Sequence, residues 1–439
     1  MKAKLIVMTW ACIVAILSSV GAAADEQPAF QVGSAERDIT PPPGLPMWGY
    51  GARHDARAEG ALDPLRAKAI VIAAGKDKLA IVGLDLGRGP TAAMMATIRQ
   101  EIGSKVGIHH VLISGSHTHH GPVIELTDQP GFGKGTFDVA VAYSRSLPDR
   151  LVEAIVEADR DLKPAKIGIA ARSVPLNRNR HTKRPDKPTD PTLAIMRFDD
   201  EGGQPIAILV NFSAHPVLTD TKVLKYSADY PGFLKNKVES ALSTRCVFIQ
   251  GAAGDMSVNP PDGIRSPQGY GEALADQVIE LARTAATESP KHPSIAGKID
   301  MFHFASRVKL GNPFVALQYE RAFFPELVRN YVRECSSGVD AELNTVLLNG
   351  EIALVGAPGE FFCNHAVRLR ERAYVKSTFF FGYCNGHAMY FPTIEAASEG
   401  GYGADPGVSL VEVGAGEKMM NQALINIYTL QGKFGGESH

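Results

Sequence analysis

Residues 114–122, SGSHTHHGP, place three histidines within four positions, directly after the short aliphatic run VLI. In an extended segment alternate side chains point to the same side, so His117 and His119 can share one cavity. Neutral imidazole is a common metal ligand and also a general base near neutral pH. The alternative is a set of ordinary hydrogen-bonded histidines, and His120 is predicted to be a loop residue or one that supports its neighbours.

The same pattern, an apolar run followed by a polar loop, recurs along the chain. His215 follows PIAILVNFS, Ser257 follows CVFIQ, Glu360 follows IALVG and Tyr390 follows TFFFGYC. Amphipathic helical patterns such as TAAMMATIRQEIGSKVG and GEALADQVIELARTAA lie between these runs. Strands that alternate with helices predict a layered α/β domain, here with a central mixed β-sheet flanked by helices and an active site at the strand ends.

Two imidazoles and a carboxylate form a ligand set that suits catalytic zinc, which leaves one coordination position open for water. The candidates for such a set are His117, His119 and His215 for the imidazoles and Glu360 for the carboxylate. Zinc would lower the pKa of that water to about 7 and polarise a carbonyl group. His365 and His387 are each the only histidine in their segment. They are predicted to lie on a helix surface or to form ordinary hydrogen bonds.

The segment GAAGDMS around Ser257 has two interpretations, a catalytic loop or a glycine turn that lets a helix begin. A serine nucleophile of the Ser-His-acid type is disfavoured, because the Gly-x-Ser-x-Gly elbow is absent and Asp255 and Met256 precede the serine.

The overall charge argues against a nucleic-acid partner. The chain has 439 residues, a formal net charge of -2 and 45% hydrophobic residues, which is an ordinary globular composition without a basic surface. Of its five cysteines, four lie beyond the N-terminal segment and none forms a Cys-x-x-Cys pair. Core positions or a disulfide bridge are therefore predicted for these four: Cys246, Cys335, Cys363 and Cys384.

The N-terminus has the three parts of a secretory signal peptide: MKAK, the apolar LIVMTWACIVAIL and the small residues of SSVGAAADEQ. Cleavage near Ala24 is predicted, with the protein exported to the periplasm or outside the cell. An uncleaved membrane anchor is the alternative, but the apolar run is shorter than the roughly 20 residues of a membrane span.

Taken in order, the motifs resemble the neutral, non-lysosomal ceramidase family, the zinc amidases that cleave the N-acyl bond of ceramide. The matching segments cover most of residues 30–405 and are VGSAERDITPP, MWGYGAR, LAIVGLDL, SGSHTHHGP, NFSAHP, GAAGDMSVNP, PGEFF and GYCNGHAMYFPT. The resemblance implies that residues 25–439, after the predicted signal peptide at 1–24, form a catalytic domain without the C-terminal immunoglobulin-like domain common in the family.

The resemblance also implies one zinc ion per chain and a role for each candidate residue. The implied zinc ligands are His117, His215, Glu360 and Tyr390. The implied catalytic residues are His119 for proton transfer, Ser257 as the catalytic serine, and Arg178 and Tyr402 to hold the carbonyl oxygen. The chain departs from the family pattern at Val258, where the family has proline, and at Val123 and Ile124, where it has glycines. It also departs at NRH after Arg178, which makes Arg180 the alternative arginine.

The expected function is zinc-dependent hydrolysis of the N-acyl linkage of ceramide or a related lipid. The expected partners are a small-molecule lipid substrate and, peripherally, membranes or lipid aggregates. The alternatives are a zinc hydrolase of another amide or ester, such as an N-acyl amino acid or a lactone, and a noncatalytic binding protein. The apolar residues 311–332 are predicted to form a core-packing helix, with the wall of an acyl channel as the alternative.

Overall fold

The structure is a computed structural model that describes residues 30–434. The predicted signal peptide lies outside these residues, so it and the export of the protein stay predictions. In the described range the strands are β1 Gln31–Asp38, β2 Arg66–Ala74, β3 Asp77–Leu84, β4 His110–Gly115, β5 Lys163–Ser173, β6 Asn177–Asn179, β7 Thr192–Asp200, β8 Pro205–Phe212, β9 Arg245–Gln250, β10 Met256–Val258, β11 Ile295–Phe304, β12 Val339–Leu348, β13 Ile352–Gly356, β14 Glu360–Phe361, β15 Ser377–Phe381 and β16 Tyr390–Phe391. The helices are α1 Ala92–Val106, α2 Asp138–Arg160, α3 Asp229–Leu242, α4 Pro267–Thr284, α5 Pro313–Ala322, α6 Pro325–Cys335, α7 Cys363–Arg372, α8 Ile394–Glu399 and α9 Ala415–Leu430.

A large mixed sheet organises the fold. Its eight strands lie in the order β4-β3-β2-β1-β5-β7-β8-β9. The pairs β3/β4 and β8/β9 are parallel and the remaining pairs are antiparallel. The apolar runs that precede the polar loops form β4, β8, β9, β13 and β15, as their β-branched and aromatic residues predict. The predicted α/β class with a mixed sheet is confirmed.

The molecule has four layers. Helices α1 to α4 pack on one face of the large sheet. A second sheet, with the order β11-β12-β13-β15, covers the other face, where Leu354 and Phe379 share a buried cluster with Leu112 and Leu209 of the large sheet. Helices α7 and α9 cover the outer side of this second sheet. The sequence pattern did not separate the two sheets, because a strand buried on both faces has the same continuous apolar sequence in either sheet.

The large sheet curls until β3 and β4 approach β9, which lies at the opposite end of the strand order. Gly83 of β3 permits this approach, since a Cβ atom at that position would lie 2.6 Å from the carbonyl oxygen of Phe248 on β9. Such a distance is well inside van der Waals contact, so a side chain there would push the strands apart. The curl brings the loops that follow β4 and β8 together.

All four cysteines of the described residues are buried and free, so they are core residues and not members of a disulfide bridge. None of the helices in residues 30–434 is long and apolar enough to cross a membrane.

The prediction of a core helix at residues 311–332 is wrong for its first part. This segment forms two short helices, α5 and α6, and no residue of α5 is buried. Phe314 and Leu317 of α5 are 81% and 43% exposed, respectively. Residues of the two helices form one wall of a cavity.

Candidate active site

Backbone hydrogen bonds hold the polar loops together at the strand ends. The His117 N–H donates to the carbonyl of Leu86, and His117 itself has a left-handed φ of 67°. An αL conformation is strained for a residue with a side chain, and such strain concentrates at functional sites. The His215 N–H donates to Met256, and an isolated β-bridge joins His215 to Ser257.

A second backbone pairing places two of the predicted ligands side by side. The two-residue strands β14 and β16 are parallel, with Glu360 opposite Tyr390. In a parallel pair the residues in register lie on the same face of the ribbon, so both side chains point toward the histidines.

Three of the predicted ligands converge on one point. The Nε2 atoms of His117 and His215 are 3.1 Å apart, and Oε2 of Glu360 lies 3.3 Å from the first and 3.1 Å from the second. All three side chains are buried. Zinc with bonds of 2.0–2.1 Å in tetrahedral geometry places its ligand atoms about 3.3 Å apart. The spacing therefore fits a zinc-sized ion.

The protonation of the two imidazoles leaves their facing Nε2 atoms able to bind a cation. Nδ1 of His117 lies 2.8 Å from the Gly87 carbonyl and Nδ1 of His215 lies 3.0 Å from the Met256 carbonyl. A carbonyl oxygen can only accept, so each Nδ1 carries the proton and each neutral ring presents a bare Nε2. Two lone pairs and a carboxylate oxygen then face one another away from water, and a bound metal ion relieves this repulsion.

The acid–base properties of these groups agree with a metal centre. Burial and the nearby Arg180 lower the pKa of His215 to about 3, which keeps its ring neutral. Neutral imidazoles and an ionised carboxylate are the forms in which these side chains bind metals.

His119 lies beside this centre and is held by aromatic rings. Its Nε2 is 3.3 Å from Nε2 of His117, and its ring packs edge-on against Tyr50 at 4.6 Å and Trp48 at 6.0 Å. Gly49 makes the approach of this loop possible, because a Cβ there would lie 2.6 Å from Cγ of His119. Burial and the two neighbouring imidazoles lower the pKa of His119 well below its usual value, so the ring is held neutral.

The arginine that reaches the centre is Arg180. Part of it stays exposed to solvent, but its Nη2 lies 2.8 Å from Nε2 of His215 and donates to the Tyr390 hydroxyl at 3.2 Å. Arg178 is exposed and its Nε donates to the carbonyl of Val258 at 3.3 Å. Arg178 lies in strand β6 and Arg180 follows directly after this strand, two positions along the chain, so the sequence left both open.

The remaining predicted residues lie around the same point. Tyr390 is 3% exposed, and Tyr402 packs edge-on against its ring at 5.6 Å while staying 70% exposed. Ser257 is buried next to His215 but takes part in no side-chain hydrogen bond in the described structure.

His387 is a site residue that sequence reasoning missed. Its buried ring faces Glu360, and together with His117 it forms a second group of side chains with metal-ligand spacing. It was predicted to be an ordinary hydrogen-bonded or surface histidine because it is alone in its segment. The only signal available was its position in the loop between β15 and Tyr390.

An apolar cavity of about 170 Å³ opens onto the candidate metal centre. Its floor is formed by His117, His119 and Glu360. Its walls are largely aromatic and aliphatic, and the contributors from helices α5 and α6 and the turn between them are Tyr319, Phe323, Phe324, Leu327, Val328 and Tyr331. A site of this kind, with few polar groups at the base of an apolar cavity, suits a substrate with one polar reacting group and an apolar part.

The layered α/β fold is found in solved structures. It is similar to the neutral ceramidase from Pseudomonas aeruginosa, with a TM-score of 0.74 and 19% identity over 93% of this chain and 76% of that chain. A ceramidase complexed with C2 aligns with a TM-score of 0.75 and 18% identity over 92% of this chain and 76% of that chain. At this level of identity the likeness establishes the fold.

Sequence comparison defines the family. The model of the neutral/alkaline non-lysosomal ceramidase N-terminal region matches residues 30–264, so the chain belongs to this family, as its motifs predicted. It is 27% identical over 201 residues to neutral ceramidase 3 of Arabidopsis thaliana, and 26% identical over 274 residues to the neutral ceramidase of Pseudomonas aeruginosa. These matches span 40% and 56% of this chain but only 26% and 39% of the relatives' own lengths.

Proposed function

We propose that this protein is a zinc-dependent amidohydrolase that cleaves the N-acyl linkage of ceramide or a related N-acyl lipid. One observation carries the proposal: two unprotonated Nε2 atoms, of His117 and His215, and Oε2 of Glu360 lie within 3.3 Å of one another at the base of an apolar cavity. Membership of the neutral ceramidase family and the fold of two ceramidases support the amide substrate.

His117, His215 and Glu360 would hold the metal, with Tyr390 as the fourth ligand from the protein. When bound, zinc polarises the substrate carbonyl and lowers the pKa of water to about 7. Nitrogen and oxygen donors without sulfur are typical of catalytic zinc. Tyr390 keeps its proton in the absence of a metal, because burial raises its pKa well above the ordinary value.

His119 is the proposed general base and acid. It is neutral and its Nε2 lies 3.3 Å from Nε2 of His117, next to the centre at which water and carbonyl must meet. As the water oxygen bonds to the carbonyl carbon, His119 takes a proton from the water. His119 then passes this proton to the amide nitrogen when the C–N bond breaks. The products are a fatty acid and a free amine. Proton transfer of this kind contributes about 10²–10⁴-fold to the rate.

Arg180 and Tyr402 are the groups proposed to stabilise the negative charge that develops on the carbonyl oxygen. The Arg180 guanidinium already lies between His215 and Tyr390, and Tyr402 lines the cavity beside Tyr390. Preorganised donors of this kind each contribute roughly 3 kcal/mol to stabilising the transition state. The position of Arg178 outside this group favours Arg180 in the role that the sequence assigned to Arg178.

Ser257 is proposed to bind a polar group of the substrate. Its backbone pairs with that of His215, and its position after Asp255 and Met256 does not form a nucleophile elbow. Replacing Ser257 with alanine should then raise KM more than it lowers kcat. A covalent acyl intermediate trapped on Ser257 would overturn this role and make the serine the nucleophile.

The experiment that tests the function is mass spectrometry of the products formed from a mixed pool of N-acyl lipids, short N-acyl amides and esters. Release of fatty acid from ceramide, abolished by a chelator and restored by zinc, is the expected result. With an apolar cavity at the centre, kcat/KM should rise up to about fourfold for each added methylene, at about 0.8 kcal/mol each, until the cavity is full.

The cavity volume of about 170 Å³ favours a second candidate, the hydrolysis of a small amide or ester. Cavities of about 150 Å³ hold a molecule the size of benzene, whereas sites for larger ligands have about 300–1,000 Å³. A flat response to acyl length, or a preference for the shortest acyl group, would exclude the lipid substrate and leave this small-amide hydrolase. Binding of the same substrates without turnover would point to a noncatalytic protein.

A further inference from the structure

His387 occupies a closed position between the cavity wall and the candidate metal centre. Its ring packs edge-on against Trp48 at 5.3 Å, and its Nδ1 lies 3.2 Å from the Tyr331 hydroxyl of helix α6. Its Nε2 is buried and has no hydrogen-bond partner among the described residues. A buried donor without a hydrogen-bond partner destabilises the folded state by about 1–3 kcal/mol. The position of His387 therefore requires an explanation.

The nearest acceptor for this nitrogen is the free oxygen of Glu360. Oε2 of Glu360 faces His117 and His215, whereas Oε1 lies 3.7 Å from Nε2 of His387. The carboxylate therefore presents one oxygen to the metal-binding point and the other to His387. The separation from His387 exceeds a hydrogen bond by less than 1 Å, and a small rotation of the carboxylate closes it.

We propose that His387 is a positioning residue that fixes the carboxylate of Glu360 for metal binding and is itself fixed by Tyr331. The Tyr331 hydroxyl donates to Nδ1 of His387, which places the ring proton on Nε2. This N–H then donates to Oε1 of Glu360 and leaves Oε2 directed at His117 and His215. The inference rests on the proposed function, since it assumes that Glu360 is a metal ligand.

This arrangement connects the substrate cavity to the metal centre. Tyr331 lies on α6, whose residues Leu327 and Val328 line the same cavity. In this arrangement a shift of α6 on substrate binding reaches Glu360 through two hydrogen bonds, one from Tyr331 to His387 and one from His387 to Glu360. Outer-shell groups that orient a ligand are worth about 10–100-fold in metal affinity.

The test is the zinc affinity of purified variants, measured by competition with a chromophoric chelator. The His387→Phe variant fills the same space without a donor and should bind zinc about 10–100-fold more weakly than the wild type. Tyr331→Phe should weaken binding by a smaller factor. His387→Gln keeps an N–H donor and should recover most of the lost affinity. Tyr319→Phe is the matched control, because it removes a hydroxyl from the same cavity wall that bonds only to the Gly407 carbonyl.

Several outcomes overturn the inference, and each is distinct from failure of the proposed function. Equal zinc affinity of the wild type and His387→Phe shows that the histidine does not act on Glu360. Equal losses in His387→Phe and His387→Gln show that the N–H donor is not the cause. Complete loss of the metal from a folded His387→Phe variant makes His387 a direct ligand. If the wild type itself binds no zinc, the proposed zinc-dependent function is wrong, whatever the variants show.

Discussion

His117 and His215 face each other through Nε2 atoms 3.1 Å apart, while the Nδ1 of each donates to a backbone carbonyl. They come from loops after β4 and β8, which are separated by five strands in the order of the large sheet. The curl of that sheet brings the two loops together. The backbone carbonyls determine which nitrogen is free, so both imidazoles present the unprotonated Nε2 that metal binding would require.

Removal of a ligand should abolish metal binding. The His117→Ala variant should lose zinc and activity together, because it removes one of the two imidazoles and leaves His215 as the only nitrogen ligand beside Glu360 and Tyr390. Elemental analysis should find close to one zinc per chain in the wild type and almost none in the variant. His303→Ala is the control, since His303 is exposed and pairs with Asp340 on the surface. A folded, active wild type without a transition metal would end the zinc hypothesis.

The neighbouring histidine should behave differently. His119→Ala should retain zinc and lose about 10²–10⁴-fold in kcat, because it removes proton transfer and leaves the ligands in place. Zinc content and steady-state kinetics on the same preparation separate the two effects. If His119→Ala emptied the site while His117→Ala did not, the assigned roles of the pair would be reversed.

Arg180 and Arg178 form a natural matched pair for mutagenesis. Arg180→Ala should lower kcat by about 10²–10³-fold, as expected for the loss of one donor to the carbonyl oxygen. Arg178→Ala should change kcat by less than about threefold, since its Nε donates only to the carbonyl of Val258 on the surface. A larger loss of kcat in Arg178→Ala than in Arg180→Ala would show that Arg178 holds the carbonyl oxygen, as the family resemblance implied.

The buried His120 should make the protein sensitive to acid. Burial and the nearby Arg53 lower the pKa of His120 from 6.5 to about 4, so the folded state binds fewer protons than the unfolded state between these values. The free energy of unfolding should therefore fall by at most about 3 kcal/mol as the pH drops from about 6.5 to 4. Urea denaturation across this range should show a smaller decrease for His120→Gln. Parallel pH profiles for the two proteins would contradict the assignment.

Narrowing the cavity should shorten the preferred substrate. Leu327→Trp adds bulk to the cavity wall and should displace two or three methylenes of an acyl chain, at about 0.8 kcal/mol each. The kcat/KM for a long N-acyl substrate should fall about 15- to 60-fold, with little change for an N-acetyl substrate. Leu317→Trp is the control, because Leu317 is 43% exposed on α5. Equal effects of the two variants would show that the acyl chain does not use this cavity.

Much of the fold could be predicted because its strands and helices follow from local patterns. The apolar runs before His117, His215 and Glu360 form strands with little dependence on their surroundings. Helix α2 was harder to recognise, since Pro148 lies inside it and no side chain caps its first turn. The second sheet and the curl of the first depend on contacts between distant segments, which no local pattern encodes.

The sequence by itself determined the residue types of the site and their place directly after strands, and its motifs determined the family. Alternation in an extended segment was enough to predict that His117 and His119 share one cavity, because every second side chain of such a segment points to the same side. Only the tertiary structure decided that Arg180 reaches His215, that His387 faces Glu360 and that α5 and α6 form a cavity wall. Each of these depends on where separate segments of the chain meet, and that is set by packing of the four layers and not by spacing along the chain.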